Sequence, residues 1–235
     1  MENPDEHLGI FERKINVTFH NKNLLRQAFT HRSFINEHRE SPLANNERLE
    51  FLGDAVLELA ASDFLYKKYP DAMEGELTSY RAGLVNTNSL SETAAELGMN
   101  SYLLLSKGEA RDEEGRARQY ILADTFEAVT GAMYLDRGYQ VAEDFLHRIL
   151  FPKIDRIVEK RLWQDAKSLF QERVQEIYNV TPSYEVLHES GPDHDKTFTA
   201  GAFIGDELVS QADGPSKQEA EQNAAEKALQ KKGWR

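Results

Sequence analysis

Asn46-Glu47-Arg48-Leu49-Glu50-Phe51-Leu52-Gly53-Asp54-Ala55-Val56-Leu57-Glu58-Leu59-Ala60 is the stretch on which the fold turns. Placed on a helix at about 100° per residue, Glu47, Glu50, Asp54 and Glu58 share one narrow arc. Leu49, Leu52, Val56 and Leu59 fall opposite. Taken alone, this pattern favours an amphipathic helix whose acidic side faces water. Two details weaken that reading. Phe51 and Leu57 flank the acids, so apolar residues run nearly all round, as in a buried helix. Asp54 and Glu58 are like charges at i,i+4 and repel.

A second stretch is sharper. Ile121-Leu122-Ala123-Asp124-Thr125-Phe126-Glu127-Ala128-Val129-Thr130-Gly131-Ala132-Met133-Tyr134-Leu135 carries only two charges, Asp124 and Glu127, spaced i,i+3 on an otherwise apolar helix. Ionised carboxylates in such surroundings neutralise, pair or bind a cation, because desolvation costs several kcal/mol. Arg48, Arg81, Arg116 and Arg118 are available as partners. Two acidic helices meeting face to face would instead form an all-oxygen site suited to Mg²⁺ or Mn²⁺. From the residues alone the two readings stand level.

Outward from these stretches, the chain divides in two. From about Asn23 to Glu159 the pattern is helical, punctuated by Pro and Gly at Pro42, Pro70, Gly98, Gly108 and Gly138. This half reads as an all-α domain, residues 1–158. After a charged linker at 159–164 the grammar changes. Ala166–Tyr178 reads as a helix, and 184–188, 197–204 and 208–211 as strands separated by turns at Gly191-Pro192 and Gly205-Asp206. Residues 216–231 read as a closing helix with an apolar stripe of Ala220, Ala224, Ala225, Ala228 and Leu229. Residues 165–235 are thus a small α+β domain in the order α-β-β-β-α. The fold class is mainly α.

Composition narrows the function. The 235 residues hold no Cys, which excludes a disulfide scaffold, a zinc ribbon and thiol catalysis. No membrane span or secretory signal is evident, and a cytoplasmic protein is expected. The formal net charge is −12. Residues 1–163 carry 20 basic and 27 acidic side chains (−7), and residues 164–235 carry 8 and 13 (−5). That balance alone argues against a nucleic-acid partner, which usually leaves a basic footprint.

The motifs argue otherwise. Asn46–Leu57 resembles the signature of the bacterial ribonuclease III family, and Leu122–Ala128 its second acidic motif. Phe29-Thr30-His31-Arg32-Ser33 and Lys107-Gly108-Glu109 match weaker elements. The second half is similar to the family's double-stranded RNA-binding domain, including Gly191–Lys196 and Ser216–Glu221. The resemblance implies a homodimeric endoribonuclease, joined through its helical domain, that hydrolyses double-stranded RNA with Mg²⁺ (Mn²⁺ substituting). Products would carry 5′-phosphate and 3′-hydroxyl ends, as in processing ribosomal RNA and other structured precursors. It implies Glu50, Asp54, Asp124 and Glu127 as metal ligands, with Asp54 and Glu127 foremost in the chemistry. Glu47 and Glu74 are implied as accessory acids, and Gln171, Glu172, His194, Lys196, Ser216 and Lys217 as RNA contacts. Glu58 carries no implied role. His31 reads as a packed, hydrogen-bonded histidine rather than a general base.

The chain departs from the family pattern at Gln218, at Asp193 and Asp195 around His194, at Glu113-Glu114 and at Tyr120, all expected to weaken RNA binding. The rival reading is a noncatalytic double-stranded RNA-binding regulator. The presence of all four implied ligands counts against it.

Overall fold

The computed structural model describes residues 4–112, 115–192 and 196–235, and the chain divides into two units, Met1–Asp155 and Arg156–Arg235. The elements run α1 (Pro4–Ile15), α2 (Lys22–Ala28), α3 (Arg32–Glu37), α4 (Glu47–Lys68), α5 (Glu74–Leu84), α6 (Thr87–Glu96), α7 (Arg116–Arg137), α8 (Tyr139–Ile149) and α9 (Ile154–Glu159). Then follow α10 (Ala166–Tyr178), β1 (Ser183–Ser190), β2 (Thr197–Ile204), β3 (Glu207–Gly214) and α11 (Lys217–Lys232). None of the helices described is long and apolar enough to cross a membrane.

The first unit is built around α4 and α7, each 22 residues long. Their backbones touch. A Cβ on Gly53 would lie 1.8 Å from the Glu127 carbonyl oxygen, and one on Gly131 would lie 2.2 Å from that of Leu49. Only glycine at both positions permits this approach. Around the crossing, Leu49, Val56, Leu57 and Ala60 of α4 pack with Phe126, Val129 and Met133 of α7, all buried. The buried Thr125 and Thr130 hydroxyls donate to the carbonyls of Ile121 and Phe126 four residues back, so neither is left unsatisfied.

Two expectations are corrected here. Leu59 does not share the buried face with Leu49 and Val56; it is 59% exposed. The core face of α4 is centred on Gly53, and Leu59 lies about 120° round the helix from it. The helical pattern also starts earlier than Asn23. In α1, Leu8, Phe11 and Ile15 are buried at i, i+3, i+7, and the Phe11 ring meets Phe29 edge-on at 5.0 Å. The acidic start of the sequence masked this stripe.

The second unit has the expected α-β-β-β-α order. The sheet is antiparallel in the order β1-β2-β3. The helices α10 and α11 pack on it through Leu169, Phe170, Val174, Ala202, Val209, Ala224, Ala225, Ala228 and Leu229. The alanine stripe keeps α11 close to the strands. Residues 159–164 are tied into this unit, because the Arg235 guanidinium donates to the Arg161 and Gln164 carbonyls at 2.7 and 2.6 Å.

Candidate functional site

The Gly53–Gly131 crossing decides where the acids go. Glu50 lies one turn before Gly53, Asp54 directly after it, and the Glu127 carbonyl is what Gly53 touches. As a result Glu50, Asp124 and Glu127 each offer a carboxylate oxygen within 4.8 Å of the others. All three are half-buried. Asp54 is exposed at the edge of this trio, close enough that its charge is the strongest of those acting on Glu127.

The electrostatics are those of anions packed together out of water. Burial, reinforced by Asp54, Asp124 and Glu50, pushes the Glu127 carboxyl up to about 8. Burial, with Asp124 and Glu47 adding to it, raises Glu50. Asp124 is raised by burial alone, opposed by the Arg32 charge. These groups bind protons more readily than free carboxylates because burial and their mutual repulsion outweigh the opposing Arg32 charge. A hard divalent cation would serve the same end, and a cluster of carboxylate oxygens matches its ligand preference. The residues therefore fit a metal of the Mg²⁺ or Mn²⁺ kind.

Among the described residues no ion pair reaches these three, whereas their neighbour Glu58 has one. Arg81 of α5 reaches Glu58, with Nε at 2.8 Å from its carboxylate, and donates to the Ser62 hydroxyl at 2.9 Å. Glu58 is thus a paired carboxylate that links α4 to α5. Arg118 is buried and spends its donors on the carbonyls of Glu109 and Asp112 and on Asn100. Arg116 lies against the Tyr120 ring. Glu47 is exposed, accepts from Asn45 at 2.9 Å and faces Arg32 at 3.5 Å. Glu74 is exposed at the start of α5, where the Thr78 hydroxyl donates to it at 3.4 Å. His31 caps α3: its Nδ1 accepts from the Ser33 amide at 3.3 Å, and burial lowers its pKa.

In the second unit the expected contact residues are spread over three elements. Gln171 and Glu172 are exposed on α10, but Glu172 is engaged by Arg161 at 2.5 Å and Gln164 at 3.1 Å. Lys196 precedes β2. Ser216 caps α11, its hydroxyl accepting from the Glu219 amide at 3.2 Å. Lys217 sits 3.1 Å from Glu189 and over the Phe198 ring. His194, with Asp193 and Asp195, lies outside the described residues, as do Glu113 and Glu114. Arg81 is one of the arginines available to the acids, and its partner is Glu58; Glu189 beside Lys217 carries no expectation from the sequence. Each pair is more than 20 residues apart, and no local periodicity announces either.

Comparison with known proteins agrees with the two-unit fold. A family model described as ribonuclease-III-like matches residues 21–154, and one described as a double-stranded RNA binding motif matches residues 166–232. The chain is 46% identical to a ribonuclease 3 of Pelotomaculum thermopropionicum, covering 98% of this chain and 95% of that one. It is 48% identical to a ribonuclease 3 of Bacillus licheniformis over 94% and 88% of the two chains. Among solved structures, a nuclease domain of ribonuclease III from Campylobacter jejuni superposes with a TM-score of 0.53 at 36% identity, covering 60% of this chain and 94% of that one. That structure is described in terms of flexibility in a region involved in dimer formation.

Proposed function

This chain belongs to the ribonuclease III family, a metal-dependent endoribonuclease family, and from that premise we propose how its own residues cut double-stranded RNA. The observation that carries the reading is the trio of Glu50, Asp124 and Glu127, crowded within 4.8 Å with raised proton affinity and joined in one chain to a double-stranded RNA-binding fold. Glu50, Asp124 and Glu127 would hold Mg²⁺, for which Mn²⁺ would substitute, with Asp54 completing the set from its exposed edge. When bound, the cation supplies neutralising charge at the phosphate and acidifies the attacking water. Asp54, the most exposed of the four, orients that water and takes its proton. The water oxygen joins phosphorus, the bond to the 3′ oxygen breaks, and that oxygen takes up a proton from solvent water as it leaves. The ends are a 5′-phosphate and a 3′-hydroxyl.

In the second unit, Gln171, Lys196, Ser216 and Lys217 contact phosphates and 2′-hydroxyls across the minor groove, where shape rather than sequence is read. His194 is proposed as a further contact of the same kind. Two copies pair through the helical unit. An exposed apolar stripe on α4 supports this: Phe51 is 80% exposed and Tyr66 72%, with Leu59 between them and Met73 beyond at the start of α5.

The test is cleavage of a long RNA duplex with Mg²⁺, with EDTA, and by Glu127→Gln. Cutting that requires Mg²⁺ and falls about a thousandfold in the variant, with duplex binding retained, is expected. Undiminished cutting in EDTA would refute the metal assignment, and no cutting with metal would refute the activity.

A further inference from the structure

One cation stands beside the acidic trio without being consumed by it. Arg32 is the first residue of α3, and its side chain is 68% exposed. Among the described residues its ion-pair partner is Glu47, at 3.5 Å, beyond good hydrogen-bond length and half-exposed itself. Such an exposed pair is weak, so exchanging it for another anion costs little. Glu47 stays anchored through Asn45 when Arg32 leaves it.

The backbone beneath Arg32 is held firmly. The His31 amide donates to the Leu104 carbonyl at 3.1 Å, His31 caps the helix through Ser33, and the Ser33 hydroxyl accepts from the Ser106 amide at 3.0 Å. A guanidinium with open donors is thus carried on a fixed stem at the rim of the site. Its charge is felt by both Glu50 and Asp124.

A phosphodiester approaching this rim meets Glu47, Glu50, Asp54, Asp124 and Glu127, all of its own sign. A divalent cation held by the trio would neutralise only part of that field. Arginine presents a planar fork that matches two phosphate oxygens and remains charged at any working pH. We propose that Arg32 swings from Glu47 to a backbone phosphate of the bound duplex next to the cleaved linkage, fixing that strand over the carboxylates. This assigns Arg32 as a substrate-contacting residue and rests on the endoribonuclease reading above.

The test uses the full-length protein and a short hairpin with a single cleavage position. Cleavage of the unmodified hairpin by the wild type with Mg²⁺ checks the activity itself; failure there refutes the activity and not the contact. Given that activity, Arg32→Ala is expected to lower kcat/KM about tenfold, mainly through KM, with Arg32→Lys intermediate. The log–log salt dependence of kcat/KM should flatten by about one charge. Hairpins each bearing one uncharged methylphosphonate linkage, moved along the strand, locate the contact. At one position near the cut the neutral linkage should penalise the wild type and leave Arg32→Ala no worse than before. Additive losses at every position would overturn the proposal. So would an unchanged KM accompanied by a lower Mg²⁺ requirement, the result expected if Arg32 merely balances the charge of the carboxylates.

Discussion

Both units carry an excess of acid, −9 over residues 1–155 and −3 over residues 156–235, and use their acids in opposite ways. In the first, Glu50, Asp124 and Glu127 are crowded and desolvated, and their pKa values rise. In the second, Glu172 and Asp165 are lowered. Hydrogen bonds from Gln164 and Arg161 hold the Glu172 carboxylate charged, while those from Ser168, Gln222 and Lys167 outweigh the burial of Asp165. Net charge does not distinguish the two arrangements; partnership does. An acid surrounded by donors is part of the scaffold. Acids that face only one another store a charge that a cation can release, and this is why a −12 chain is compatible with an RNA partner.

The largest break in this contrast should come from Gly53→Ala. The added methyl would sit 1.8 Å from a backbone carbonyl, so α4 and α7 must part. We expect the first unit to lose about 3 kcal/mol of stability and the protein to lose nearly all cleavage, as overpacking and a displaced site act together. Duplex binding through the second unit should persist. Urea unfolding with a paired cleavage and binding assay checks this. Wild-type cutting by the variant would show that the close crossing is not what assembles the trio.

A smaller effect separates the two kinds of carboxylate by pH. Glu127 binds its proton more tightly folded than unfolded, so its contribution to stability is complete below about 4.5 and is lost as pH rises through about 8. In metal-free protein at pH 8, Glu127→Gln should therefore be the more stable, by up to about 2 kcal/mol after allowing for partial exposure, or about 5 °C in melting temperature. Added Mg²⁺ should stabilise the wild type and not the variant. Glu172 has the opposite sign. Its pKa is lowered, so its contribution is present above about 4.5 and lost as pH falls through the folded value. Glu172→Gln should cost no more than about 1 kcal/mol at pH 7, and the difference should vanish in acid. Calorimetry from pH 4 to pH 8 reads both signs, and parallel curves for the two variants would abolish the distinction.

How much of this was legible follows the same divide. The two-unit order, the strands and the acid-bearing helices were readable, because periodicity and a long motif are local properties of the chain. The face of α4 was read less well. Leu59 falls opposite the acids by hydropathy, yet hydropathy alone does not locate the centre of a helix contact, which Gly53, a residue with no side chain, defines. Which partner each charge takes is not readable from local periodicity. Glu58 meets an arginine 23 positions away and Glu189 meets a lysine 28 positions away, pairings that exist only once α5 and α11 have docked.

That last pair sets the finest test. Lys217, at the start of α11, is an expected RNA contact, yet Glu189 at the end of β1 lies 3.1 Å from its ammonium. A phosphate that takes Lys217 must displace this carboxylate and then sit beside it. Both side chains are exposed, so the pair itself contributes less than about 1 kcal/mol, and removing the competitor can gain only a comparable amount. Glu189→Gln should accordingly tighten binding of a 20-base-pair duplex about threefold at low salt, in the full-length protein without metal. Lys217→Gln should weaken it, and the double variant should match Lys217→Gln alone, because the acid acts through the lysine. Tightening that survives in the double variant would instead mean that Glu189 repels the duplex directly. The two units would then differ less than their pairing suggests.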